Sequence, residues 1–580
     1  MILNNKTGFS LVEALLASAL FALLVTALTG AWIYGQEAGS VSGQRARARL
    51  IAEECLEAVR NIRDNDYANL SAGTFGLSTT TNQWNATSTS DVVNGFTRQV
   101  TITTLDSKRK SVSCTVTWPE TAQRTGSITL ATELTNWMAT VGSGRGGILV
   151  YGDGGTTLDA IKYKLLDPAT NTWSTASSTA DIDAGTTNRA LRAASLYASA
   201  TRNEKILLSR HYNGTTQYIY AQVYNGTTTS WGDVQLLSNW NAATFLDVKN
   251  FDGTYLANGN FMVVYSDNTN IPKMRTWNGS VWSGASSLTS LGAAGQIPNY
   301  IVAKARPSTS EVMAAFFTQA SDAITEYYSG IAWSAITSHS AVAPVNTKKL
   351  VDFTWSPNNS LIGGLVYSNN GNDRSLNIKI WTANGSGSGA WSGTSNSNNQ
   401  GLGSTRLGAV AIIGRPGANT FLACNANTVP QVICYQSNFT PTWSNPTNQI
   451  IAPLTDTGIQ RSFDIGYELA SSTYAIGVYS DQSTIPKLKK YNPAITTFDA
   501  AATALSAVGA ALKTVKISPK SATNDMMILM ADNNLDVFTV AWDGTTHAAY
   551  TTPSGYAFTG HGTSGSNAAD YWYDFAWDEF

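Results

Sequence analysis

Charge is scarce in this chain. Only 13% of its 580 residues are Asp, Glu, Lys or Arg, and the signs nearly cancel, with 37 basic against 39 acidic residues. A nucleic-acid surface needs a basic excess to displace counterions, so that class of partner is excluded. Cysteine is down to 4 residues, too few for a disulfide scaffold to stand in for a core. The 4 histidines, His211, His339, His547 and His561, are scattered, with no His-Glu-x-x-His or other ligand spacing. Gly-x-Ser-x-Gly and phosphate-loop patterns are missing too, and no cofactor is expected. The low charge does not signal disorder, because disordered chains are poor in aromatics. Here 17 Trp, 24 Tyr and 18 Phe stand among 43% hydrophobic residues. The length exceeds one domain, and the Ser/Thr/Asn/Gly-rich remainder suits an exported β-protein.

Residues 9–34 hold a single charge, Glu13. About 20 apolar residues cross a bilayer as a helix, so this run is long enough. The polar leader before it carries one side-chain charge, Lys6, which keeps the N-terminus cytoplasmic and exports the rest. A cleaved signal peptide would have a shorter apolar core and a small-residue cleavage site. A carboxylate at membrane depth costs about 2.5–3.5 kcal/mol and calls for a partner.

Gly8-Phe9-Ser10-Leu11-Val12-Glu13 resembles the processing site of type IV prepilins and type II secretion pseudopilins. The resemblance implies cleavage by a membrane prepilin peptidase between Gly8 and Phe9, and N-methylation of Phe9. It also implies that Glu13 neutralises an N-terminal amine when subunits assemble through their helices in the membrane lipid. The likeness covers residues 9 to about 137. Within it, Leu50, Ile51, Cys55, Leu56, Val59 and Ile62 recur at helical spacing, and Gly30, Gly35 and Gly39 predict bends near the membrane exit. Alternation over 96–105, 111–118 and 126–134 predicts a small antiparallel sheet. Cys55 and Cys114 fall on the facing apolar surfaces, so they form either a helix-to-sheet disulfide or two buried thiols. Cys424 and Cys434, ten apart around Pro430, are candidates for clipping a hairpin.

From about Thr132 a unit recurs: apolar strand, Tyr-Ser/Gly-Asp/Asn, second strand, tight turn, aromatic. Its YSD-xxx-IPK core starts at Tyr265 and again at Tyr479. The closing aromatics are Trp173, Trp231, Trp282, Trp333, Trp391, Trp443 and Phe498, with an eighth turn near His547. Strand-rich repeats with a period near 50 predict a β-propeller of eight or seven blades, with the C-terminal aromatic segment closing the first. Asn225-Gly226, Asn278-Gly279 and Asp543-Gly544 should supply positive-φ turn residues. The expected organisation is a leader at 1–8, a membrane helix at 9–34, a pilin-like α+β part at 35–137 and an all-β propeller at 138–580.

Candidate chemistry is sparse. Propeller sialidases carry a Ser-x-Asp-x-Gly-x-x-Trp box, which this chain does not match. Asp153, Asp267, Asp322, Asn369, Asp481 and Asp532 recur at strand ends, where Asx turns explain them better than calcium does. Asp181 and Asp183 have calcium-loop spacing but lack a closing Glu, so no metal is expected. Trp-Asn-Gly-x-x-Trp resembles the blades of fucose-binding propeller lectins, and Glu326, Tyr327 and Trp333 come nearest to that pattern. Inter-blade packing of the aromatics is the simpler reading. No ligand-binding residue is singled out. The expectation is a minor pilin or pseudopilin-like surface protein, not an enzyme, displaying a propeller that binds a glycan or protein. The alternatives are a membrane-tethered glycan hydrolase and a purely structural pseudopilin.

Overall fold

The computed structural model describes residues 10–65, 67–80, 83–105, 109–121, 124–135, 146–152, 161–167, 172–182, 189–242, 248–339, 349–368, 376–385, 387–396, 407–427, 431–439, 449–453, 462–470, 474–481, 483–534, 536–549 and 572–580. They fall into two compact units, Met1–Val141 and Gly142–Phe580.

The first unit is built on one helix, α1 (Leu11–Asn65). Its N-terminal part is long and apolar enough to cross a membrane, and its large apolar side chains up to Tyr34 are exposed. α1 runs unbroken through Gly30, Gly35 and Gly39, where bends were expected. An isolated glycine costs only about 1 kcal/mol relative to Ala, too little to end a helix flanked by good formers. The C-terminal half buries Ala48, Ile51, Ala52, Cys55, Leu56, Ala58, Val59 and Ile62. Each large member of that stripe stabilises the unit by about 1.5–3 kcal/mol. Leu50 was expected there but is 65% exposed, because it lies one residue off the 3.6-period stripe.

That face packs on a six-stranded antiparallel sheet made of β1 (Gly73–Thr80), β2 (Gln83–Thr87), β3 (Asp91–Val93), β4 (Phe96–Thr104), β5 (Arg109–Thr121) and β6 (Arg124–Thr135). The order is β2-β1-β4-β5-β6, with β3 on β4. The three expected strands are β4–β6. β1–β3 escaped sequence reading because their Gly/Ser/Thr/Asn-rich segment shows little apolar alternation. Buried Arg98 on β4 pairs with Asp91 at 2.7 Å and with Glu54 of α1 at 3.4 Å. Cys55 is bonded to Cys114 of β5, with Cα atoms 6.4 Å apart.

Among the described residues the second unit holds eight further sheets of four or five strands. Their innermost strands are Tyr573–Trp577, Ala190–Ala198, Phe251–Tyr255, Pro298–Ala305, Val351–Trp355, Leu407–Gly414, Phe463–Tyr467 and Leu512–Pro519. Each contacts the next, and Leu512–Pro519 contacts Tyr573–Trp577, so the ring closes as a propeller-like fold. The C-terminal strand enters the first sheet by pairing antiparallel with Gly147–Tyr151, Asp574 opposite Val150. Closure removes the exposed edges an open array would have. The next strand out is apolar on both faces, as in Val312–Thr318 and Met526–Asp532, which are buried throughout.

The described repeat-closing aromatics pair with the third strand of their own sheet, and Trp231, Trp282 and Trp333 also reach the preceding one. Trp231 packs on Tyr224 and on Tyr163 of the sheet before. Trp333 packs on Tyr328, and its indole N–H points at Met274. Trp443 lies outside the described residues. Gly279 and Gly544 take φ of 98° and 93°, with Asn278 and Asp543 each accepting two backbone N–H groups. In the 225–230 turn the left-handed residue is Thr229 rather than Gly226; a Cβ on Gly226 would strike the Asn203 side chain. In the sixth sheet Cys424 and Cys434 face each other in register and are bonded.

Non-reducing peptide mapping is expected to recover the 55–114 and 424–434 linkages, and two pairs of free thiols would contradict it. By loop entropy, replacing Cys55 and Cys114 with Ser should destabilise the first unit by about 4 kcal/mol. The 424–434 pair should cost the second unit only about 2–3 kcal/mol.

Candidate functional site

Every other innermost strand of the ring carries the same tetrad. The four copies are Asp252-Gly253-Thr254-Tyr255, Asp352-Phe353-Thr354-Trp355, Asp464-Ile465-Gly466-Tyr467 and Asp574-Phe575-Ala576-Trp577. Period 2 places the aspartate and the aromatic on opposite faces of the strand. One carboxylate oxygen of each Asp accepts a backbone N–H from the following sheet's innermost strand. The pairs are Asp574 with Leu196 (2.7 Å), Asp252 with Ala303 (2.9 Å), Asp352 with Ile412 (3.2 Å) and Asp464 with Ile517 (2.9 Å). In three of the four copies the aromatic three residues on hydrogen-bonds to the preceding sheet, whereas the buried Tyr467 hydroxyl has no hydrogen-bond partner. Trp355 donates to the Lys304 carbonyl at 2.9 Å, Trp577 to the Ser518 carbonyl at 2.8 Å, and the Tyr255 hydroxyl to Glu204 at 3.2 Å.

These strands wall a central cavity of about 470 Å³. Lys249, Lys304, Lys349 and Lys516 line it with the four aspartates, leaving no excess of either sign. Lys249 and Lys349, three residues before their aspartates, sit 2.9 Å from Asp252 and Asp352, and Lys516 sits 2.6 Å from Asp574. Burial pushes the Asp252 carboxyl up. The Lys249 and Lys304 charges, the Tyr197 hydroxyl and the Ala303 N–H outweigh burial and hold it down to about 2. Burial also lowers Lys516, partly offset by Asp574. A general acid or base works with a pKa near the ambient pH, which Asp252 is far from. Its arrangement suits joining sheets rather than moving protons.

Sequence reasoning missed these aspartates. The signal was present, since the Asp-x-x-Trp/Tyr tetrads recur 100, 112 and 110 residues apart. They repeat every second sheet, so a search for one marker per blade passed over them.

Gly8 and Phe9 lie outside the described residues. Glu13 opens α1, where its carboxylate accepts the Ser10 N–H at 3.1 Å while Ser10 Oγ accepts the Val12 N–H at 3.3 Å, close to a capping box. Asp267 and Asp481 cap turns by accepting the N–H and hydroxyl of Thr269 and Ser483, and Asp532 accepts the N–H groups of Asn534 and Asp536. Asp322 instead accepts the Gln296 amide, and Asp153 and Asn369 lie outside the described residues. Asp181 is exposed and Asp183 is not described; among the described residues no group of three His, Cys, Asp or Glu is placed to hold a metal. His211 is buried against Ser209, and His339 is held down to about 3 by burial and the Lys379 charge.

Glu326, Tyr327 and Trp333 occupy the fourth sheet. Glu326 is 1% exposed; one oxygen accepts the Thr289 N–H at 3.0 Å and the other has no partner. Tyr327 packs on Trp355 and Trp381 of the next sheet, whereas Trp333 packs toward the preceding one. The three do not converge on one open pocket.

No protein-family model and no curated protein matches this chain. Among solved structures it is similar to the BP39L lectin from Burkholderia pseudomallei, at 11% identity and TM-score 0.45, over 62% of this chain and 99% of that one. It is also similar to the six-bladed fucose-recognising lectin of Aleuria aurantia, at 13% identity and TM-score 0.32, over 55% and 95%. The WD40 domain of SCAP from fission yeast matches at 11% identity and TM-score 0.37, over 68% and 95%. At such similarity none of these carries a functional assignment.

Burial raises the Glu326 carboxyl from 4.5 to about 7, against the opposing pull of the Thr289 hydrogen bonds. Between those values the folded chain keeps a proton that the unfolded chain releases, so stability falls as pH rises through the window. Glu326→Gln is expected to stabilise the ring by up to about 3 kcal/mol above pH ~7 and to change little below pH ~4, read by thermal unfolding against pH. Equal effects at both ends would contradict this.

Proposed function

We propose that this chain is a minor pilin or pseudopilin-like surface protein. In this reading prepilin peptidase cleaves between Gly8 and Phe9, and α1 anchors the mature chain in the cytoplasmic membrane until it joins a type IV pilus or type II secretion-type filament. The ring is an eight-bladed propeller serving as an exported recognition head for a surface glycan or a protein. The observation that carries the reading is the division of α1: a bare apolar half, following a Gly-Phe-x-x-x-Glu motif, continues into a half that packs on a small sheet. A head as large as residues 142–580 suits a low-copy or tip subunit rather than a repeating shaft. A binding role is favoured over hydrolysis because the ring's central aspartates are committed to backbone N–H groups and lysines.

Mass spectrometry of the chain from cells expressing a prepilin peptidase is expected to find an N-terminal methylated Phe9. Glu13→Ala should still be cleaved but fail to enter filaments. A chain that begins at Met1, or normal incorporation of the Glu13 variant, would contradict the reading.

A further inference from the structure

A second cavity, of about 160 Å³, opens where the second, third and fourth sheets of the ring meet. All its walls come from one end of the ring, where second strands turn into third strands and innermost strands begin. Arg210 stands near the end of Glu204–Tyr212, and Gln217 lies opposite both Tyr212 and Trp240 in register. Asn250 directly precedes Phe251–Tyr255, Asn299 is in Pro298–Ala305, and Gln319 follows Val312–Thr318.

The wall is assembled before any ligand arrives. Arg210 is 1% exposed; its Nε donates to Gln217 Oε1 at 3.1 Å, its Nη1 donates to the Val248 carbonyl, and the guanidinium lies 5.9 Å from the Trp240 ring. Two polar atoms in the same wall are left over. Gln217 Nε2 and Asn250 Oδ1 are buried without a hydrogen-bond partner, on residues 1% and 3% exposed. Leaving such a donor or acceptor unmet costs about 1–3 kcal/mol, and both side chains belong to residues that line the cavity.

The chemistry of the wall specifies a ligand. Carboxamides both donate and accept, as sugar hydroxyls do, and here they flank an indole whose face suits the C–H surface of a ring. Among the described residues no carboxylate lines the cavity. Arg210 is held by Gln217 and Val248 rather than presented as an open fork, which disfavours phosphate. The volume is about half the low end of the ~300–1,000 Å³ that drug-sized ligands occupy, so the occupant is one small ring. We propose that this cavity binds a single pyranose unit of a glycan, with Trp240 as the stacking platform and Gln217 and Asn250 as hydroxyl partners. The proposal rests on the reading of the ring as a recognition head and names its ligand class.

The test titrates detergent-solubilised full-length chain with glucose, galactose, mannose, fucose, N-acetylglucosamine and galacturonate, followed by saturation-transfer NMR and tryptophan fluorescence. Asn250→Leu removes the unmet acceptor without opening a hole. It is expected to weaken the bound sugar by about tenfold or more while leaving the Tm unchanged or raised; a purely structural Asn250 would lower the Tm. Trp240→Ala should also abolish binding. If sugar or glycan-array binding persists in both variants, this cavity is overturned and the recognition reading survives. If the parent binds neither the monosaccharides nor the array, the sugar assignment fails, and recognition then requires a protein ligand.

Discussion

Four buried carboxylates each hold the backbone of the neighbouring sheet, and the ring is organised around them. Asp252, Asp352, Asp464 and Asp574 accept the N–H groups of Ala303, Ile412, Ile517 and Leu196. A hydrogen bond to a charged acceptor contributes about 1.5–3 kcal/mol. Removing one carboxylate would orphan a buried N–H, and at Asp252, Asp352 and Asp574 a lysine as well. The structural unit is therefore a pair of sheets, bound through the aspartate on one side and, at Tyr255, Trp355 and Trp577, through a hydrogen bond from the aromatic three residues later on the other. Four such pairs make the ring. The pair that closes it is drawn from both ends of the unit, because Asp574 on the last strand grips Leu196 on the second sheet.

This arrangement accounts for the chain's economy with charge. Around the central cavity charge occurs in compensated positions, carboxylate beside ammonium or backbone N–H. Turns are stabilised by Asx side chains such as Asn278 and Asp543 rather than by surface ion pairs, most of which contribute little. Aromatics fill the spaces between sheets. The cavity at Trp240 and Asn250 lies at strand ends, where binding residues are usually carried by a fixed scaffold.

Much of this was legible in the sequence, and what was not has identifiable causes. The apolar run at 9–34, the stripe through Cys55 and Ile62, and strands β4–β6 follow from periodicity alone, because each buries one face. The repeat was legible through its end aromatics, which recur along the chain with a period near 50. The two-sheet period was not, since it is carried by short Asp-x-x-Trp/Tyr tetrads embedded in unlike strands. Strands β1–β3 were hidden by polar, glycine-containing composition. The candidate site was the least legible part. Arg210, Gln217, Trp240 and Asn250 come from different strands and become neighbours only through the packing of successive sheets, and no spacing along the chain records that.

Hydrogen exchange at the amides of Leu196, Ala303, Ile412 and Ile517 tests the central claim most directly. Each N–H is locked by a carboxylate from the adjoining sheet, so all four should be among the slowest to exchange in the ring, with similar protection. Asp352→Asn should accelerate Ile412 while leaving the other three slow. Exchange of these amides at the rate of an exposed turn such as that at Gly279, or no selective change at Ile412, would contradict a ring held together by its aspartates.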